Sequence, residues 1–340
     1  MGVIYGQPLI IGGGKGNEFI VETQAGATVT ATNAGATVTA IAGSDGKATL
    51  KLGKYGDWSI IATKGGIESP SITVTIPPIY LISFAPVIST TPQQGVSYAN
   101  GLNGVTAEEV SIIAAAISDN SNITNETYTL YFDYGDIHRK VSIGDQVTLS
   151  LNGKDYAFDV IGFNHDTLSV PSTAYGHTTK TGKAGITFQM HDLFTGNYNM
   201  NANNINSGGW RACRMRTSTM PTMKGYMPEA WQTVVKFVDK NTGKGDSITA
   251  GTITTSDECF LLAEIEIFGS RTYSVSGEGT QYAYYKAGNS KEKPSSGAVP
   301  WWERSPSANS GASFCYVDKT GVARASVASD LRGVAFAFCV

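Results

Sequence analysis

Four histidines (His138, His165, His177, His191) and four cysteines (Cys213, Cys259, Cys315, Cys339) are the residues best suited to chemistry. Two histidines precede a carboxylate, as His165-Asp166 and His191-Asp192. Such a carboxylate can orient an imidazole or complete a metal shell. A metal centre needs three or four convergent ligands, and no His pair at helical spacing or His-x-Glu motif is present. The histidines are therefore expected to make structural hydrogen bonds. The cysteines form no Cys-x-x-Cys pair, so a zinc site is not expected, and they read as buried small hydrophobes. Cys315 and Cys339 suit neighbouring strands, and their pairing stays open. Glu264 and Glu266 alternate with Ile265 and Ile267, the pattern of a half-buried strand. Only their closeness in sequence suggests a glycosidase pair. Arg304 reads as a buried partner for Glu303 or Glu266. Gly12-Gly13-Gly14-Lys15-Gly16 lacks the Ser or Thr that a phosphate-binding loop places after its Lys. No nucleophile elbow, kinase signature or dinucleotide fingerprint appears. The expectation is a non-enzymatic chain with no catalytic residue, no metal and no cofactor.

The last forty residues have a different character. Apolar anchors recur at Trp301, Trp302, Phe314, Val317, Val334, Phe336 and Phe338. Between them run short polar and small residues, 307–313 and 322–332, with little periodicity. Anchors that hold a fold while the residues between them carry few packing duties point to loops on a rigid scaffold, where recognition concentrates.

The frame Trp301-Trp302-Glu303-Arg304-Ser305-Pro306, then Phe314-Cys315-Tyr316-Val317, Gly321, Gly333-Val334 and Phe338-Cys339, resembles the variable region of diversity-generating retroelement target proteins. Lys319 and the ending Phe336-Ala337-Phe338 depart from the usual pattern. The resemblance, with landmarks spread over 101–340, implies a C-type-lectin-like fold of the kind shared with formylglycine-generating enzymes. It implies a structural frame of Trp301, Trp302, Arg304, Phe314, Gly333 and Phe338. It also implies a ligand-binding variable face of Ser307, Ala308, Asn309, Ser310, Ser313, Tyr316, Asp318, Thr320, Arg324, Ser326, Ser329, Asp330 and Arg332. The function implied is a phage or prophage tail receptor-binding protein, located in the virion tail, whose partner is a bacterial cell-surface protein or glycan. A weak face suits a homo-oligomer such as a trimer, which gains avidity. Two alternatives stand beside this: a formylglycine-generating-like oxidase working through Cys315 and Cys339, and a structural virion decoration protein.

The elements that must position these residues are legible in outline. At 340 residues the chain has room for two or three domains. A net charge of −3 is too small to argue for nucleic acid, and no apolar run reaches the length of a membrane span, so neither nucleic acid nor membrane insertion is expected. The start lacks a basic region followed by an apolar core, so no secretory signal is expected. Gly is frequent at 39 residues, and with abundant Thr and Ser this favours turn-rich β structure.

Residues 1–16 read as a lead-in or docking segment. Residues 17–78 read as an all-β sandwich similar to small immunoglobulin-like modules, docking to other virion tail proteins. Within it Ala-Gly-Ala-Thr-Val-Thr-Ala occurs twice, Asp45-Gly46 signals a hairpin, and Pro77-Pro78 ends the run. Residues 79–100 read as a linker. In 101–340, Thr106 to Glu109 fits a capping box opening a helix to about Ser118, with Val110, Ile113, Ala114 and Ile117 on its core face. Asn152-Gly153 marks a hairpin. The fold class expected is α+β: a β-sandwich followed by a lectin-like domain of short helices and antiparallel strands.

Overall fold

The computed structural model describes residues 18–52, 56–76, 86–134, 137–169, 182–246, 251–293 and 299–340. The lead-in 1–16, the Pro77-Pro78 boundary and His177 lie outside the described residues. The architecture is α+β and largely β. The chain divides into two compact units, Met1–Phe84 and Ala85–Val340.

The first unit holds β1 (Glu18–Glu22), β2 (Thr28–Asn33), β3 (Ala36–Ile41), β4 (Lys47–Lys51), β5 (Gly56–Lys64), β6 (Ile67–Glu68) and β7 (Ile72–Ile76). One sheet pairs β1 with β4; the other runs β3-β2-β5-β6, with β7 also on β5. Alternation explains the core: Val29, Ala31, Leu50, Trp58 and Ile60 point inward from successive strands. The repeated heptapeptide supplies β2 and β3. They meet in a hairpin whose turn residues, Ala34 (φ 38°) and Gly35 (φ 85°), are both left-handed. Asp45-Gly46 also makes a tight turn, with Gly46 at φ 74° and the Asp45 carboxylate accepting the Lys47 N–H at 3.1 Å. It does not join paired strands, contrary to the hairpin expectation. β3 pairs with β2 and β4 with β1, because Ala48 and Leu50 bury their side chains from the other sheet.

The second unit opens with β8 (Val87–Ser89), β9 (Ala99–Asn100), α1 (Ala107–Ser118), β10 (Thr129–Tyr134) and β11 (Ile137–Ser142). Its first sheet runs β8-β10-β11-β9. The stretch 79–100 is therefore more than a linker, since two of its segments are strands hydrogen-bonded into this unit. In α1, Val110, Ile113, Ala114 and Ile117 are buried, as their spacing requires. The Thr106 hydroxyl accepts the Glu109 N–H at 3.2 Å. The reciprocal half of the box is missing among the described contacts, because the Glu109 carboxylate is taken by Arg139.

Next come β12 (Gln146–Leu151), β13 (Lys154–Phe163) and β14 (Ile186–Met190), with Asn152 and Gly153 at φ 50° and 79° turning the first hairpin. Short helices follow: α2 (Gly209–Ala212), a π-helical turn over Met215–Thr219, α3 (Met220–Gly225) and α4 (Glu229–Val234). β15 (Val238–Gly243) pairs with β16 (Thr252–Asp257). The chain continues through β17 (Cys259–Phe260), α5 (Glu264–Phe268), α6 (Ala283–Lys286), β18 (Trp301–Pro306), β19 (Ser313–Val317), β20 (Ala323–Val327) and β21 (Ala337–Cys339). The central sheet runs β12-β13-β14-β21-β17, so the C-terminal strand is interior rather than an edge. Phe338 fixes it, packing 5.3 Å from the rings of both Phe158 and Phe188. A separate sheet, β18-β19-β20, carries the polar segments.

Candidate ligand-binding face

β18 supplies the frame. Every one of its residues is buried, and Trp301, Trp302, Glu303 and Arg304 are 0% exposed. The indole N–H of Trp302 donates to the Tyr198 carbonyl at 2.7 Å, and that of Trp301 to the Lys291 carbonyl at 3.0 Å. A buried guanidinium must satisfy all its donors. Arg304 does so with Glu266, where Nη2 lies 2.9 Å from Oε1 and Nη1 bonds Oε2. Thr242 Oγ1 and the carbonyls of Leu261 and Glu278 take further donors. The expected partnership with Glu266 is present.

Glu266 in turn lies 3.2 Å from Lys240 Nζ, which also bonds Asp166 and the Tyr282 hydroxyl and sits 4.0 Å above the Phe260 ring. Burial alone would raise both acids, but Lys240 holds Asp166 well below the carboxylate range, and Arg304 with Lys240 lowers Glu266. Glu264 is satisfied by the backbone N–H groups of Thr272, Tyr273 and Ser274. The strand expected over 264–267 is instead α5. Both glutamates point inward to fixed donors, and the Ala263 N–H bonds Glu266 at 2.9 Å to start the turn.

Two acids in this network are different. Burial pushes Glu278 up to about 7, although it accepts the Gly243 N–H at 2.6 Å and the Ser305 hydroxyl at 2.5 Å. Glu303 has no hydrogen-bond partner for either carboxyl oxygen among the described residues. Burial, and then the neighbouring Glu264 and Glu278, raise it well above the carboxylate range, which favours its neutral form.

The predicted face residues divide. Ser307 and Ser313 are buried, contrary to their expected place on the surface. Their carbonyls accept from the Asn206 amide at 3.2 and 2.8 Å, and Ser310 O accepts at 2.7 Å. Asn206, itself fully buried, pins the whole 307–313 loop and is missed by sequence reasoning, since a lone Asn gives no signal. Asn309, Thr320 and Arg324 are exposed; Ala308, Ser310, Tyr316, Asp318, Ser326, Ser329, Asp330 and Arg332 are half-buried.

Register and side-chain contacts gather five of them. β19 and β20 place Tyr316 opposite Arg324 and Phe314 opposite Ser326. Arg332 stacks 3.6 Å over the Tyr316 ring and 5.2 Å from that of Trp302. Asp330 bonds Ser326 and accepts from Arg332 at 3.3 Å. Ser329 donates to Asn204 at 2.6 Å. Asp318 has a turn-forming role. Burial acts to raise it, but together the donors from Thr320 (2.8 and 2.7 Å), Val322 (3.0 Å) and Arg324 (3.2 Å) outweigh that and hold its carboxyl down at about 2. Exposed Val322, Leu331 and Ile205 complete the surroundings.

Among the described residues, Asp166 gathers His165 at 3.5 Å and the Cys339 thiol at 3.4 Å, and the other histidines and cysteines lie elsewhere. His138 bonds Asp133 at 2.6 Å, and His165 reaches the Thr280 carbonyl at 3.1 Å. His191 is held by Asp159 at 2.9 Å rather than by its sequence neighbour Asp192. No group of three or more His, Cys, Asp or Glu among the described residues has the arrangement to hold a metal ion. All four cysteines are free and buried. Cys315 and Cys339 lie in different sheets rather than on neighbouring strands, and burial raises both thiols well above their usual range.

Residues 184–340 match the family model of a domain of unknown function, DUF6273. That span runs from just before β14 to the end of the chain and contains the whole face. No curated protein matches the chain.

Proposed function

We propose that this protein is a receptor-binding protein of a phage or prophage tail. In this reading the first unit is an immunoglobulin-like sandwich that docks to the virion or spaces the tip. The second is a C-type-lectin-like domain that displays a hypervariable surface to a bacterial cell-surface protein or glycan. One observation carries the reading. Side chains with few packing duties (Asn309, Thr320, Arg324, Asp330) lie on or beside the strands and turns whose anchors Trp301, Trp302 and Phe314 are wholly buried. Such a scaffold tolerates replacement of the outer residues without loss of the core. The face offers Tyr316 and Arg332 as its larger contacts and short polar groups as adaptable ones. Affinity per copy is then modest, and a homo-oligomer supplies avidity.

The test exchanges Asn309, Ser310, Thr320, Arg324, Ser326 and Asp330 together and measures binding to host cells alongside the melting temperature. Binding should change while the melting temperature stays within a few degrees of the parent's. Unaltered binding, or a collapse of the fold, would sink the reading.

A further inference from the structure

β3 is an edge strand whose only sheet neighbour among the described residues is β2. Its sequence, Ala36-Thr-Val-Thr-Ala-Ile41, has no charge, no proline and no register break. Natural edges are commonly blunted by lysine, proline or a bulge, because an unpaired row of N–H and C=O groups is a template for another strand. None of these devices is present here. On the sheet's other side the edge is divided between the two-residue β6, which carries Glu68, and β7.

The hairpin geometry says which groups face outward. In a hairpin closed by a two-residue turn, the residues flanking the turn form a hydrogen-bonded pair, and bonding alternates from there. Asn33 and Ala36 flank the Ala34-Gly35 turn. Ala36, Val38 and Ala40 therefore bond β2, and the N–H and C=O groups of Thr37, Thr39 and Ile41 point to the open side. The side chains of Thr37 and Thr39 are exposed, and that of Ile41 is 72% exposed, the most exposed large hydrophobic among the described residues.

We propose that this edge pairs with the same edge of a second copy of the chain, antiparallel and centred on Thr39. In that register Thr39 faces Thr39 of the second copy, and Thr37 faces Ile41 in both directions. Every outward N–H then finds a carbonyl. The cross-strand pairs are β-branched against β-branched, the kind that stabilises antiparallel sheets. Ile41 gains cover. The occupant is a second copy because the Thr37-Thr39-Ile41 row matches its own image about Thr39, and an uncharged strand meets that image with no like-charge repulsion. Because the pairing is two-fold and uses the edge of both copies, it closes at a dimer instead of propagating. The area involved is small, so the dimer is weak and concentration-dependent.

Sedimentation velocity on the full chain, from micromolar to near-millimolar concentration at low salt, should show a monomer–dimer equilibrium. Thr39→Lys and Thr39→Glu each set like charges face to face on the two-fold axis. Each should raise the dimer dissociation constant about tenfold or more. Thr39 is exposed, so both variants should keep the parent's melting temperature. An equimolar mixture of T39K and T39E should recover the dimer, since opposite charges then meet. A chain that stays monomeric throughout, a dimer indifferent to T39K, or no recovery in the mixture would overturn the proposal. The first of these outcomes would leave the edge to a foreign strand.

Discussion

Arg304 and Arg324 each hold a carboxylate, and the two pairs obey opposite rules. Arg304 is fully buried and shares Glu266 with Lys240; Arg324 is exposed and meets Asp318 at the tip of the β19–β20 hairpin. In the core a charge without its partner has nowhere to go, so each member is indispensable to the others. On the hairpin, water replaces whatever is removed. The same residue types thus build both a rigid frame and a replaceable surface, and burial alone decides which.

The largest effect should come from breaking the core pair. Arg304→Met leaves Glu266 and the network behind it short of a cation, and removal of one partner of a buried pair costs about 3–5 kcal/mol. Chemical denaturation should show that loss, with Arg304→Lys only partly restoring stability because lysine lacks the two-pronged fit to Glu266. A loss below about 1 kcal/mol would mean the frame does not depend on this pair.

The next effect is a pH dependence. Burial pushes Glu278 up to about 7 in the folded chain, against 4.5 when unfolded. A raised acid favours the folded state while it is protonated there. That contribution is fully present below about 4.5 and is lost as pH rises through 7. The difference corresponds to at most about 3 kcal/mol. Glu303, raised by the same burial, acts in the same direction. Glu278→Gln should flatten the fall in stability between pH 4.5 and 7, measured by urea midpoints across that range. An unchanged pH profile would show that Glu278 titrates normally.

A smaller effect belongs to the joint between the regions. Asn206→Ala removes the amide that donates to three carbonyls of the 307–313 loop. Leaving buried acceptors unpaired costs about 1–3 kcal/mol. Amide exchange should quicken in 307–313 while β21 stays protected. Uniform loss of protection would instead make the loop part of the core's cooperative unit.

Local patterns were legible and distant partnerships were not. The α1 stripe, the Asn152-Gly153 turn and the β18 anchors are written in neighbouring residues, and each has its place in the fold. The charge network joins Asp166, Lys240, Glu266, Tyr282 and Arg304, partners separated by up to 116 positions, and no short window contains it. Glu264 and Glu266 misled because alternation of acid and isoleucine fits both a strand with one wet face and a short helix whose acids are buried against donors. Ser307 and Ser313 misled differently. Short polar residues serve equally as replaceable contacts and as hydrogen-bonded parts of a loop or turn, and composition cannot distinguish the two.

The smallest expected effect is the sharpest test of the contrast. Arg324 is exposed, and its side chain bonds Tyr273 as well as Asp318. Its partner Asp318 keeps donors from Thr320 and Val322 if the guanidinium is lost. Arg324→Ala should therefore leave the melting curve superimposable on the parent's, at low and at high salt. Asp318→Ala should do more, because it strips the turn of the acceptor that closes it. If Arg324→Ala destabilises the fold as Arg304→Met does, then the hairpin belongs to the frame, and the division between a fixed interior and a replaceable surface fails at the place where it was drawn.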